Sequence, residues 1–207
     1  MGDRFVGILL FLPVPLVLWL FTRAPFGVGR SLVTGVAVMV AHRFVARPVA
    51  LSSAARRCMW CGGRTDRTMP VRVADPAGTV DWNVCGATHH DRLVATLGWV
   101  SRRRRLVAAG IGGAVLTFLP FAWLAEAGVL GPLGYGDAVA WFKGIVAITV
   151  LPIGWIAPGS SSREPSELRL PFPAHIQALV GTLVVVWLFR LVGAVWLVEA
   201  LAHVVRR

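Results

Sequence analysis

The sequence predicts a mainly α-helical membrane protein, a polytopic bundle of four or five spans that carries one small α+β insert. The chain is 56% hydrophobic, above the ~45–50% of ordinary soluble domains. Several apolar segments reach the ~17–25 residues needed to cross a bilayer. All three cysteines fall in the only long polar stretch, between these segments. These three observations together predict the fold class.

The first 46 residues predict an N-terminal membrane hairpin, with spans at about 5–22 and 26–46. The first segment is uncharged, and no small-residue cleavage site precedes Arg23, so an uncleaved anchor is favoured over a signal peptide. The second segment has a short apolar core flanked by basic residues. An interfacial helix is the alternative there, which is why the expected number of spans is four or five.

Residues 106–207 predict a C-terminal membrane domain with spans at about 106–125, 138–157 and 176–198. Two pairs of small residues in the first of these spans have the spacing that permits close helix contact: Ala109 with Gly113, and Gly110 with Ala114.

The polar stretch, residues 47–105, is called the cysteine module below. Its charge is strongly positive, since positions 43 to 105 hold 12 Arg and 4 Asp. Basic residues concentrate on the cytoplasmic side of membrane spans. We therefore expect a cytoplasmic module in a plasma or bacterial-type inner membrane. Four arginines directly before the third predicted span are expected to bind anionic headgroups: Arg102, Arg103, Arg104 and Arg105.

Within the module, two β-prone runs at 71–74 and 79–84 surround a Pro/Gly turn and predict a β-hairpin. An apolar face over 87–100 predicts a helix, with Thr88 as its N-cap. The cysteine pair Cys58-x2-Cys61 is followed by two glycines, and Cys85 is followed by two histidines. A soft divalent metal prefers about four thiolate or imidazole ligands, and these two groups can supply them.

A knuckle, a hairpin and a ligand pair at the start of a helix follow the order of treble-clef modules. Residues 58–90 therefore resemble zinc-ribbon and treble-clef zinc-binding modules, although the second ligand pair is C-x3-H where family members often have CxxC. The resemblance implies a structural Zn²⁺ site with Cys58, Cys61, Cys85 and His89 as ligands, and His90 as the alternative fourth ligand. Adjacent helical residues point about 100° apart, so only one histidine should reach the metal.

An insert of this size has little core of its own, so a metal would supply much of its folding free energy. The sequence therefore predicts an integral membrane protein whose structural-zinc module serves protein interaction or assembly. A membrane thiol-redox protein or a metal-dependent enzyme using the cysteines is an alternative. We identify no catalytic residue. Nucleic acid is a weaker alternative partner, for which three tryptophans could stack: Trp60, Trp82 and Trp99.

Arg190 lies inside the last predicted span, and an ionisable residue within a membrane span is a candidate functional residue. Glu126 and Glu199 are its candidate partners, and a small transporter centred on Arg190 is a further alternative. An arginine that bends toward the outer headgroups, or that pairs between helices, is the structural explanation. Lys143 is expected to anchor the end of its span.

Overall fold

The computed structural model describes residues 56–66, 69–75, 78–159, 168–169 and 180–206, with isolated positions at 33, 35–37, 40–41, 44 and 177. The predicted N-terminal spans, about 5–22 and 26–46, lie outside the described residues apart from the isolated positions, which are helical. In chain order the elements are β1 (Met69–Asp75), β2 (Gly78–Val84), α1 (Ala87–Arg102), α2 (Arg104–Glu126), α3 (Tyr135–Trp155), the 3-10 turn Ala157–Gly159, β3 (Leu168–Arg169) and α4 (Thr182–Val205).

The predicted hairpin is confirmed as β1 and β2, which pair antiparallel along their whole length. Side chains alternate between the two faces of a strand, so one face can be apolar and the other polar. Val71 and Val73 are buried, whereas Arg72 between them is exposed. The Arg72 Nε lies 3.4 Å from the Asp81 Oδ1 on the opposite strand. The buried face of the hairpin forms one wall of the module core.

Helix α1 forms the other wall of this core. Leu93, Val94 and Leu97 are buried and pack in one cluster with the hairpin. The N-cap predicted at Thr88 is wrong: the helix begins at Ala87, with Gly86 before it and no capping side chain. β2 therefore turns into α1 within two residues, which keeps the last part of the strand next to the first helical turn.

The mainly helical class is confirmed, and three described helices are long and apolar enough to cross a membrane. They are α2, α3 and α4, which correspond to the three spans predicted for the C-terminal membrane domain. α3 packs between α2 and α4. It runs antiparallel to both. Gly110 near the start of α2 lies against Thr149 near the end of α3, and Gly144 in the first half of α3 lies against Ala200 near the end of α4. α3 has 21 residues, a length of about 30 Å that matches the hydrocarbon core of a bilayer.

The close contact between α2 and α3 uses only one of the two predicted small-residue pairs. A Cβ added to Gly110 would collide with Thr149, and Ala114 one turn further is fully buried. Ala109 is exposed, and a Cβ at Gly113 would meet nothing within 4 Å. The sequence spacing identified both pairs, but only the packing distinguishes the face that touches a neighbour.

Helix α4 begins and ends several residues later than the predicted span 176–198. Its start is determined by Gly181, whose φ of +87° interrupts the helix. It continues past residue 198 because two polar side chains there have partners on α3. Glu199 binds Lys143, and His203 binds Asp137.

The module packs against one end of the helix bundle. Trp99 and Val100 of α1 share a buried cluster with Val107 of α2, Ile153 of α3 and Ala157 in the 3-10 turn that follows α3. The chain then returns to the module, where β3 pairs parallel with β1. β3 lies between the second and third spans predicted for the C-terminal membrane domain. We call this end of the bundle the module-side end.

Candidate metal centre

A tight turn positions the first two cysteines. Residues 58–63, called the knuckle below, close on themselves because the Cys58 N–H donates to the Gly63 carbonyl at 2.8 Å and the Gly62 N–H donates to the Cys58 carbonyl at 2.7 Å. Gly62 has a φ of +69°, which a side chain would disfavour. The Met59 N–H donates to the Asn83 carbonyl at 2.9 Å, so the knuckle is joined to the end of β2.

The third cysteine and the histidine come from the β2–α1 junction. Cys85 directly follows β2, and His89 lies in the first turn of α1. Four residues separate them, which on this turn brings the Cys85 Sγ and the His89 Nδ1 to 2.9 Å. The Cys58 Sγ lies 3.7 Å from the same nitrogen. The junction and the knuckle therefore meet at one point.

The four ligand atoms of Cys58, Cys61, Cys85 and His89 all lie within 4.8 Å of one another. Zn–S bonds of about 2.3 Å in a tetrahedron place the sulfurs about 3.8 Å apart. A small contraction of the cluster would therefore bring all four atoms into one coordination sphere. Cys58 is fully buried and the other three are half-buried. The group could hold a metal ion.

Burial and neighbouring groups shift the pKa values of two of the thiols. Burial opposes ionisation of Cys58, but hydrogen bonds from the Cys61, Cys85 and Trp60 amides and from the His89 side chain prevail, and the pKa of Cys58 falls to about 7. The pKa of Cys85 rises to about 11 because of burial and of its proximity to Cys58 and Cys61. A second thiolate is thus disfavoured here, and a divalent ion would remove that repulsion.

His90 is turned away from the cluster. Its Nδ1 lies 3.4 Å from the Asp91 Oδ1, and it is not one of the four grouped side chains. Of the two histidines considered as the fourth ligand, His89 lies in the four-residue group and His90 does not. Adjacent residues on a helix point about 100° apart, so only one of them faces the cysteines.

The knuckle also holds the start of α4, which the sequence analysis did not foresee. The Thr182 N–H and the Leu183 N–H donate to the carbonyls of Met59 and Trp60, at 2.8 and 2.9 Å. The Thr182 hydroxyl adds a bond of 2.9 Å to the Met59 carbonyl. The first N–H groups of a helix have no partner within it. Here two carbonyls of the knuckle supply partners for two of those N–H groups. The sequence signal for this helix start was Gly181 followed by a threonine.

The arginine run lies at the corner between α1 and α2. α1 ends at Arg102 and α2 begins at Arg104, and the guanidinium of Arg103 lies 4.5 Å from the ring centroid of Trp99. Trp60 and Trp82 are 3% exposed and belong to the module core. These tryptophans therefore offer no free rings on which nucleotide bases could stack.

Arg190 lies beside the module-side end of α3. Its Nε–H donates at 2.6 Å to the carbonyl of Gly154, one residue before the end of α3. Its guanidinium carbon lies 5.0 Å and 4.7 Å from the rings of Trp155 and Trp187. Neither of the glutamates considered from sequence is its partner, since Glu199 binds Lys143.

A second charged contact is the Lys143–Glu199 pair between α3 and α4, with 2.6 Å between Nζ and Oε2. Lys143 is buried, and it lies about 12 Å along α3 from the end remote from the module. The expectation that Lys143 anchors a span end stays a prediction. A buried lysine without a partner would be unfavourable, and Glu199 supplies the opposite charge.

Comparisons with protein-family models, with curated proteins and with solved structures find no match to this chain. The class of protein is therefore defined by its own structure: a mainly helical chain with three candidate membrane spans and a Cys3His group that could bind a metal ion.

Proposed function

We propose that this integral membrane protein binds one structural zinc ion through Cys58, Cys61, Cys85 and His89, and that the metal fixes the cysteine module to the last membrane helix. The observation that carries the proposal is that the knuckle has two roles. Two of its cysteines enter the four-ligand group, and two of its carbonyls hold the first amides of α4. A metal that holds the knuckle also holds the helix.

Zinc is the metal that fits the donors best. Three thiolates and one imidazole are soft to borderline ligands, which favour zinc over magnesium, calcium or manganese. Four protein side chains fill a tetrahedral site and leave no open position for substrate, so the ion is structural and not catalytic. The arginines at the start of α2 support a cytoplasmic location for the module, where thiols remain reduced and available to a metal.

The module then has the features of an assembly device. It buries its own core and joins β1, β2 and β3 on one side and the ends of α2, α3 and α4 on the other. We infer that its role is to organise a cytoplasmic face on the bundle, to which a protein partner can bind.

Metal analysis of the purified full-length protein tests this function. We expect close to one zinc per chain, and release of that zinc by a strong chelator should increase proteolysis within the module while α2 and α3 remain protected. Stoichiometric zinc with chelator-dependent cleavage supports the proposal. Protein that is folded, protease-resistant and free of zinc would contradict it.

A thiol-redox protein is the second candidate, favoured by the low pKa of Cys58. Reactive cysteines are normally accessible to a second thiol. Cys58 has no exposed surface, and Cys58 and Cys61 lie in the knuckle and not at the start of a helix. Rapid alkylation of Cys58 in the metal-loaded protein would favour this candidate over structural zinc.

Gly181→Ala tests the contact between the knuckle and α4. The new Cβ would lie 2.7 Å from the Cys61 carbonyl carbon and the Gly62 nitrogen, at a φ of +87°. Strain and overpacking together predict a loss of about 2–4 kcal/mol in the free energy of unfolding. We also expect weaker zinc binding, because the knuckle must move. Thermal denaturation and a competitive zinc-chelator titration measure both effects.

Gly112→Ala on α2 is the matched control for this variant. A Cβ at Gly112 meets nothing within 4 Å, and alanine is the better helix former, so stability should change by less than about 1 kcal/mol. Equal behaviour of the two variants would show that α4 does not rest on the knuckle.

A further inference from the structure

Within the described residues, Arg190 is a cation without a carboxylate partner. Among the described residues its bonds and ring contacts are those to Gly154, Trp155 and Trp187. A guanidinium has five N–H donors, and only the Nε–H is used, by the Gly154 carbonyl. The four N–H groups on the two Nη atoms have no acceptor in the described part of the chain. A guanidinium with unused donors next to apolar helices offers a binding position for an anion.

The guanidinium is held in place before any ligand arrives. The bond to Gly154 fixes one edge, and the two indole rings lie within 5.0 Å of its carbon. Gly154 itself is a close contact, since a Cβ there would lie 2.9 Å from the Cγ of Arg190. A guanidinium group that is already held in place loses less conformational entropy on binding an anion than a freely moving arginine side chain does.

The depth of the site points to lipid. Trp155 and Trp187 are 62% and 51% exposed, and tryptophans of membrane proteins concentrate at the headgroup level. Gly154 is near the module-side end of α3, the end at which α2 begins with its arginines. In a bilayer spanned by α3, the free edge of Arg190 would lie near the phosphate groups, on the same side as the arginines at the start of α2.

We propose that Arg190, with Trp155 and Trp187, binds the phosphate of an anionic glycerophospholipid at the module-side interface. The fork of Nη donors matches two phosphate oxygens, and the exposed faces of the two indoles pack against the glycerol and the first methylenes of the acyl chains. This site is separate from the arginines at 102–105 and does not depend on the metal.

Lipid binding to the full-length protein in detergent, measured by native mass spectrometry, tests the proposal. Short-chain phosphatidylglycerol should bind at one saturable site, more tightly than phosphatidylcholine. Arg190→Gln should weaken the phosphatidylglycerol site about tenfold or more. Arg190→Lys should give an intermediate affinity, because it keeps the charge but loses the fork.

Arg92→Gln is the matched control, since it removes the same charge from an exposed position of α1 in the cysteine module. It should change the affinity less than twofold. Equal losses in Arg92→Gln and Arg190→Gln would overturn the proposal in favour of diffuse attraction. Free glycerol phosphate that competes as well as the lipid would overturn the assignment to a lipid.

Trp187→Leu keeps the charge and removes one face of the site, so it tests the site even if Arg190→Gln fails to fold. Its affinity for phosphatidylglycerol should fall severalfold, and wild-type affinity would contradict the proposed site. Zinc content should be unchanged in every variant, which separates failure of this site from failure of the proposed metal function.

Discussion

Cys61→Ser is expected to lose zinc and to release both the cysteine module and the start of α4. Removing a residue that only hydrogen-bonds to a metal ligand lowers metal affinity about 10–100-fold. Removing a ligand itself should therefore lower zinc affinity by more than about 100-fold. When zinc is bound at saturation, that loss lowers the free energy of unfolding by about 2.7 kcal/mol or more. Metal content, limited proteolysis and thermal denaturation measure these effects.

The two adjacent histidines provide the control for the ligand set. His89→Ala should resemble Cys61→Ser, because the His89 Nδ1 lies 2.9 Å from the Cys85 Sγ. His90→Ala should retain one zinc per chain, since His90 faces Asp91 and not the cluster. A Cys61→Ser protein that keeps its metal, or a His90→Ala protein that loses it, would contradict the assigned ligands.

Lys143→Met is expected to be the most damaging single change within α2, α3 and α4. It removes the cation that the Glu199 carboxylate meets at 2.6 Å between α3 and α4. The Glu199 side chain is 35% exposed, so the loss should be about 1–3 kcal/mol, below the value for a fully buried pair. Denaturation in mixed detergent micelles, followed by circular dichroism, measures the loss.

The double variant separates the pair from its individual members. Lys143→Met combined with Glu199→Gln removes both charges and should be more stable than Lys143→Met alone, because the carboxylate is removed together with the cation it binds. Glu126→Gln, at the exposed end of α2, should stay within about 0.5 kcal/mol of the wild type. Strictly additive effects of the two substitutions would show that the pair contributes no coupling.

Together these predictions describe a module and a bundle that depend on each other. The sequence suggested an insert that folds separately between membrane segments. The structure joins them at three places: the α1 cluster with α2 and α3, the β1–β3 pairing, and the knuckle carbonyls on α4. Loss of the metal should therefore destabilise the start of α4 as well as the module.

The sequence alone was sufficient for features that depend on local pattern. The hairpin followed from two β-prone runs around a turn, and the apolar face of α1 followed from its periodicity. The three long helices followed from their length and apolar composition. The candidate ligands followed from cysteine and histidine spacing, because tight pairs in sequence are necessarily close in space.

Only the tertiary structure decided which distant groups meet. Arg190 sits beside Gly154, Lys143 meets Glu199, and the carbonyls of Met59 and Trp60 hold α4. These contacts join segments that are 36 to 123 residues apart, so no periodicity or spacing encodes them. They arise from the rotation and depth of each helix, which close packing of many side chains determines together.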